Sequence, residues 1–323
     1  MIHADDFVTD AEILTPVPHR ADCGCPLHRG PMGAVGNRRL FTSLLVGAGA
    51  SAALPALARE GVDVGGNSKF TQLVPAEKIE AAAAQQYVQM RTEAGQKKAL
   101  APDGHPQVVR LRAIAKRIIP YTFEWNGRAR DWKWEVNLIG SKELNAFCMP
   151  GGKIAFYFGI LQQLQLSDDE VAMIMGHEMA HALREHARER MGKQAVTGGL
   201  IEIGSALFGL GQIGRSLADM GGQLLTLKFS RENESEADLV GMELAARAGY
   251  DPHSGVTLWQ KMQAASKGAP PQFLSTHPSS GTRIQEIQAS LPKVQSLYAR
   301  AQKPAERFAP PPAQTSGVTT PGG

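Results

Sequence analysis

Residues 175–190, MGHEMAHALREHARER, carry the pattern on which the fold and chemistry of this chain turn. His177-Glu178-Met179-Ala180-His181 reads H-E-x-x-H. On a helix, side chains four apart lie about 40° apart around the axis and about 6 Å along it. Both imidazoles therefore reach a single zinc ion at about 2.0–2.1 Å. Glu178 is one step round, facing the open side of such an ion, which is where a general base belongs. The alternative is an amphipathic helix whose histidines are ordinary polar residues. A third ligand decides between the two.

The flanking pattern predicts the elements around this helix. Ser167, followed by Asp168, Asp169 and Glu170, forms a capping box and an acid-rich first turn for it. Upstream, 75–100 is rich in strong helix formers and 105–120 fits a second helix stopped by Pro120. The period then changes. Trp132, Trp134, Val136 and Leu138 alternate with polar residues, as in a half-buried strand. LNAFCM and KIAFYFG predict two more strands joined by the turn Pro150-Gly151-Gly152. SRENESEADLVGMELAARAG starts another helix, closed near Gly249.

Three third-ligand patterns compete. The metzincin pattern needs Gly at 184 and His at 187, where the chain has Arg184 and Ala187; His186 is a register away and is expected exposed beside Arg188. A deformylase-like site would use an upstream cysteine, and Cys148 stands alone in NAFCMPGG. The gluzincin pattern needs a glutamate on a later helix with an aspartate one turn on, and Glu234-Ser235-Glu236-Ala237-Asp238 supplies it. Two histidines and one carboxylate leave an open position on zinc, the mark of a catalytic site. Asp238 shares the helix face of Glu234 and can accept the free ring N–H of His177. Glu236 is expected to point to solvent.

At these residues the chain resembles the zinc peptidases that include the CAAX prenyl endopeptidases, the membrane protease HtpX and the periplasmic protease BepA. The resemblance covers about 105–295. It rests on NAF-x-x-PGG-x-I from Asn145, GHE-x-AHAL-x-EH from Gly176, E-x-E-A-D from Glu234 and THP-x-x-x-x-R-I from Thr276. It implies an α+β, mainly helical gluzincin-type catalytic domain with a small β-sheet beside the active-site helix. One Zn2+ per chain is implied, held by His177, His181 and Glu234. Asn145, Ala146 and Phe147 correspond to an edge strand that pairs with an extended peptide substrate. His277 and Arg283 correspond to a loop histidine and arginine near the zinc. His277 either occupies the fourth position as a latch, approaching opposite Glu178, or donates to the oxyanion, with Arg283 anchoring its loop. The implied activity is a zinc endopeptidase acting on polypeptides, with unfolded or misassembled cell-envelope proteins as substrates. The rival is a non-catalytic, chaperone-like binding protein in which zinc only holds the fold.

The rest of the chain bounds this reading. Its 323 residues carry a net charge of +3 with 20% charged residues and no concentrated basic run, so nucleic acid is not an expected partner. Residues 38–58 run from Arg38-Arg39 through a Gly/Ala-rich apolar stretch to Ala56-Leu57-Ala58. That pattern predicts a twin-arginine-like export signal, a periplasmic location and a mature start near Arg59, with 1–37 as a leader extension containing Cys23 and Cys25. A helical segment over 59–104 then precedes the peptidase domain over 105–300. Residues 198–230 are Gly-rich and apolar but interrupted by Glu202, Arg215 and Asp219, which leaves room for a peripheral membrane contact rather than a span. Residues 301–323 are Pro-rich and predict a disordered tail. The oligomeric state is not set by these features.

Overall fold

Apolar periodicity and capping place the central helix, and the other elements assemble around it. The computed structural model describes residues 59–197, 220–266, 272–277 and 282–313. The leader and signal lie outside the described residues, as does the 198–219 part of the apolar stretch. Helices α1 (Ala76–Gln96) and α2 (Pro106–Ile118) lead into strand β1 (Glu135–Ile139). Strands β2 (Ala146–Met149) and β3 (Lys153–Tyr157) follow, then a short α3 (Phe158–Gln163). Beyond them come α4 (Asp168–Leu183), α5 (His186–Thr197), α6 (Arg231–Arg247), α7 (Ser254–Ala265), α8 (Gln272–Thr276) and α9 (Arg283–Arg300). The fold is mainly helical with one small sheet, as the sequence predicts. Among the described residues, no helix is long and apolar enough to cross a membrane.

The sheet order is β1-β3-β2, with β1 parallel and β2 antiparallel to β3. Strand β2 is therefore an edge strand, and it lies against α4. The turn joining β2 to β3 needs its glycines: Gly151 and Gly152 have φ of +82° and +74°. A Cβ at Gly152 would also stand 2.7 Å from the Trp134 ring.

Helix α4 is buried along nearly its whole length. The predicted capping box is present: Ser167 N–H donates to Glu170 Oε2 (2.8 Å) and Glu170 N–H to Ser167 Oγ (3.3 Å). Arg110, fully buried on α2, pairs with Asp168 in the first turn at 2.7 Å. A second box, between Ser230 and Asn233, starts α6. Among the described residues, helices α4 and α6 make the most extensive packing of any two elements, and two glycines let their backbones touch. A Cβ at Gly176 would fall 2.6 Å from Gly241 O, and one at Gly241 would fall 2.5 Å from His177 N. This crossing brings His177 against the face of α6 that carries Glu234 and Asp238. Gly241→Ala is expected to destabilise the fold by about 1–3 kcal/mol through overpacking. It should also weaken zinc binding, because relief of the clash moves α6 away from His177. Thermal unfolding and zinc titration of the variant check both effects.

The two ends of the described chain depart from simple expectation. Residues 59–62 wrap a buried carboxylate: Glu243 accepts from Arg59 Nη2 (2.6 Å), Val62 N–H (2.8 Å) and Arg247 Nε (2.8 Å). At the other end, 301–313 is coil without regular structure, but it is held to the domain. Phe308 N–H donates to Asp168 Oδ2 (2.8 Å), Gln107 to Ala309 O (3.0 Å) and Gln165 to Pro311 O (2.8 Å). Its prolines lack N–H donors, so domain side chains supply hydrogen bonds to its carbonyls. Low apolar content alone did not reveal this docking; residues 314–323 lie outside the described set.

Candidate metal centre

Four buried side chains converge where α4 and α6 cross. The ligand atoms of His177, His181, Glu234 and His277 all lie within 4.8 Å of one another. His177 Nε2 is 3.1 Å from His181 Nε2 and 3.3 Å from His277 Nδ1. Glu234 places Oε2 3.6 Å from His177 Nε2, and Oε1 3.5 Å from His181 Nε2 and 3.1 Å from His277 Nδ1. Ligand atoms around a tetrahedral ion at about 2.0–2.1 Å stand roughly 3.3 Å apart, so the spacing fits zinc.

The outer partners of the histidines give an independent test of fit. His177 Nδ1 is 3.0 Å from Asp238 Oδ1, a carboxylate that can only accept, so the proton of neutral His177 sits on Nδ1. That leaves its Nε2 lone pair aimed at His181 Nε2. That lone pair faces His181 Nε2 at 3.1 Å, His277 Nδ1 at 3.3 Å and Glu234 Oε2 at 3.6 Å, a set of nitrogen and carboxylate donors that suits a metal ion. Asp238 is in turn held by Arg283, whose Nη2 and Nε donate to Oδ1 and Oδ2, both at 2.7 Å. Burial would raise the Asp238 carboxyl, but Arg283 and His177 outweigh it and hold it at about 2. Arg283 also donates to Glu234 Oε2 at 2.8 Å and lies over the Trp259 ring. Burial likewise opposes ionisation of Glu234, yet its His277 hydrogen bond and the charges of His277, His177 and Arg283 leave it below the usual range.

Glu178 is the next side chain along α4. It is buried, and its Oε1 has no hydrogen-bond partner. Burial pushes its carboxyl upward, against the opposing pull of His277 and His177. A carboxylate with a raised proton affinity, aimed at the cluster but outside the ligand group, is suited to take and return a proton.

Three sequence expectations need correction. His277 does not approach from the side opposite Glu178: its Nε2 stands 3.6 Å from Glu178 Oε1, so the two share the open side. His186 is not exposed beside Arg188 but 1% accessible, with Nδ1 2.9 Å from His181 Nδ1. The cause is a helix break. Glu185 adopts φ of +58°, ending α4 and starting α5, which folds His186 back beneath His181. Glu236 is only partly exposed rather than free in solvent; it pairs with Arg184 and lies 3.3 Å from His186 Nε2.

Two aromatic residues were missed. Phe229 stacks on His181 with ring centroids 4.0 Å apart, and Phe273 stacks on His277 at 4.5 Å. The position of Phe229 just before the Ser230 cap is a signal that sequence reasoning could have used, since an apolar residue there fixes the entry of the chain into the helix.

A cleft opens onto the cluster. Asn145, Ala146 and Phe147 line one wall, and Glu178, His181 and His277 form its polar floor. Leu224, Leu227 and Phe229 add an apolar wall. The residues that the resemblance assigns to substrate therefore face the same cleft as the metal-ligand set.

Comparison with known proteins agrees with this geometry. The model of peptidase family M48 matches residues 105–291. The mitochondrial metalloendopeptidase OMA1 of Schizosaccharomyces pombe is 34% identical over 212 residues, covering 65% of this chain and 60% of that protein. Metalloprotease LoiP of Escherichia coli is 28% identical, covering 60% of this chain and 75% of its own length. The β-barrel assembly-enhancing protease of the same organism is 29% identical, covering 46% and 32%. The chain thus spans about 60% or less of the length of the OMA1 relatives in fission yeast, budding yeast and Arabidopsis. With a matched family model over more than half its length and a zinc-competent donor set at the matched motif, the chain belongs to peptidase family M48, a family of zinc metallopeptidases.

Proposed function

We propose that the protein is a zinc-dependent endopeptidase in which His177, His181 and Glu234 hold the metal and Glu178 is the general base. The observation that carries this reading is the buried Glu178 Oε1, which makes no hydrogen bond and stands 3.6 Å from His277 Nε2 at the ligand cluster. A purely structural zinc site, as in a chaperone-like binding protein, has no use for such a carboxylate. Zinc supplies Lewis acidity at this point, polarising a carbonyl and making water easier to deprotonate. Glu178 takes a proton from water at Oε1 and returns it to the leaving amine. Edge strand β2 binds the substrate as an added strand through Asn145, Ala146 and Phe147. Asp238 fixes the His177 tautomer, and Arg283 fixes Asp238.

The test is digestion of an unfolded protein such as casein by the full chain. A zinc chelator is expected to abolish cleavage and added zinc to restore it. His181→Ala should lose most bound metal by elemental analysis and with it the activity. Full zinc occupancy in that variant would overturn the ligand assignment.

The substrate class we infer is unfolded or misassembled cell-envelope protein in the periplasm, reached through the twin-arginine-like segment at 38–58. The name of the β-barrel assembly-enhancing relative supports this, whereas the mitochondrial names of the OMA1 relatives point to another compartment. An apolar cleft wall suits extended chains that expose apolar side chains.

We assign His277 as a latch. Its Nδ1 stands at a fourth vertex of the ligand group, 3.3 Å from His177 Nε2 and 3.1 Å from Glu234 Oε1. There it excludes water from the position that hydrolysis needs. His277→Ala is expected to raise peptide hydrolysis about tenfold, the factor for a resting equilibrium with about nine sites in ten closed. A fall in rate at equal zinc content would instead make His277 an oxyanion donor.

A further inference from the structure

We propose that His186 is a positioning residue for the metal site: it accepts the outer N–H of His181 and, backed by Glu236 and Arg184, sets the tautomer and tilt of that ligand. The inference rests on His181 being a zinc ligand and goes beyond it. His181 Nδ1 and His186 Nδ1 are 2.9 Å apart, and the two rings meet edge to face at 77°. A contact this short between two ring nitrogens needs one hydrogen and one lone pair. His181 must keep Nε2 bare to bind metal, and a neutral imidazole carries only one N–H. His181 Nδ1 is therefore the donor and His186 Nδ1 the acceptor.

The tautomer of His186 follows from the same count. With Nδ1 accepting, its own proton sits on Nε2, which makes no hydrogen bond but stands 3.3 Å from Glu236 Oε2, near enough for the carboxylate charge to favour it there. Glu236 is held by Arg184 Nε, and Arg184 Nη2 donates to Gly65 O at 2.9 Å. The chain of contacts thus runs from the ligand cluster through two imidazoles to a carboxylate and a guanidinium. It ends at a second, polar pocket lined by His186, Glu236, Arg184 and Asn67, separate from the substrate cleft.

The two ligand histidines consequently have unlike partners. His177 donates to the ionised Asp238, whereas His181 donates to a neutral ring. A carboxylate partner makes an imidazole a stronger electron donor than a neutral acceptor does. His186 thus holds His181 in place without adding the donation that Asp238 gives His177, and the metal keeps more of its Lewis acidity. The αL conformation of Glu185 is what makes the contact sterically available, since an uninterrupted helix would carry His186 about 140° away from His181 around its axis.

Zinc affinity of the full chain, measured by competition with a chromogenic chelator, tests the proposal without using activity. His186→Phe keeps a ring but offers no acceptor, and it is expected to weaken zinc binding about 10- to 100-fold. His186→Asn sets an amide oxygen near the place of Nδ1 and should recover affinity to within about threefold of wild type. Wild-type affinity in a folded His186→Phe overturns the proposal. So does an Asn variant as weak as the Phe variant, because the loss would then reflect packing and not the hydrogen bond. Should the Phe variant not fold, His186→Asn is compared with His186→Ala, and equal affinities of these two also overturn it. His181→Ala is run alongside: full zinc occupancy there defeats the ligand assignment itself, whereas its loss of zinc with unchanged His186 variants defeats only the positioning role.

Discussion

Glu178→Gln is expected to bind zinc as the parent does and to lose peptidase turnover by about 10²- to 10⁴-fold, the usual worth of a general acid–base. The amide is nearly isosteric with the carboxylate but cannot take a proton from water at neutral pH. Metal binding should survive because the four converging ligand atoms belong to His177, His181, Glu234 and His277, not to Glu178. Stability should not fall. Burial already disfavours the charged form of Glu178, so a neutral side chain of the same shape removes a desolvation cost. The loss should appear in kcat rather than KM, as expected for a group that acts in the transition state. The check is steady-state hydrolysis of a peptide with zinc content and melting temperature measured on the same samples. Turnover near that of the parent, at equal metal occupancy, would require a different base.

How much of this site could be read from residues alone depended on whether local rules continued unbroken. The i, i+4 pairing of His177 with His181 lies within one helix, and Ser167 with Glu170 fixes where that helix starts, so both were legible. The alternation through Val136 and Leu138 marked β1, and the turn at Gly151-Gly152 marked the junction of β2 and β3, but β1 is buried on both faces rather than half-buried, with Glu135 and Asn137 covered as well. His186 escaped because the inference assumed a continuous helix, and a non-glycine residue in the αL region is a rare stop. Arg110–Asp168 and Arg59–Glu243 escaped for another reason. Each pair joins residues distant in the chain, and no pattern in either segment names the other partner. His277 was legible only through the family resemblance, since a histidine before a proline in a loop has no local signature of metal proximity.

Arg283→Met is expected to cost the metal-free protein about 3–5 kcal/mol, the range for removing one member of a buried ionic network. Arg283 is 2% exposed and makes three charge-assisted hydrogen bonds, to both oxygens of Asp238 and to Glu234 Oε2, at 2.7, 2.7 and 2.8 Å. Methionine fills much of the volume over Trp259 but leaves two buried carboxylates without their shared cation. Arg283→Lys should rescue little, because a point ammonium cannot bridge two carboxylates with the geometry of a guanidinium fork. Bound zinc should reduce the deficit, since its charge neutralises Glu234; it does nothing direct for Asp238. The pH dependence carries the sharpest test. In the parent, the Asp238 carboxyl is held at about 2 against an ordinary 3.8, despite burial, by Arg283 and His177. A depressed folded-state value contributes stability that is present above about pH 4 and lost as pH falls toward 2. The variant lacks most of that contribution, so its deficit should be largest near neutral pH and shrink as the solution is acidified through this window. Urea unfolding of both metal-free proteins across pH 7 to 2 measures it. A deficit that stays constant with pH would mean that Arg283 acts through packing on Trp259 rather than through its two carboxylates.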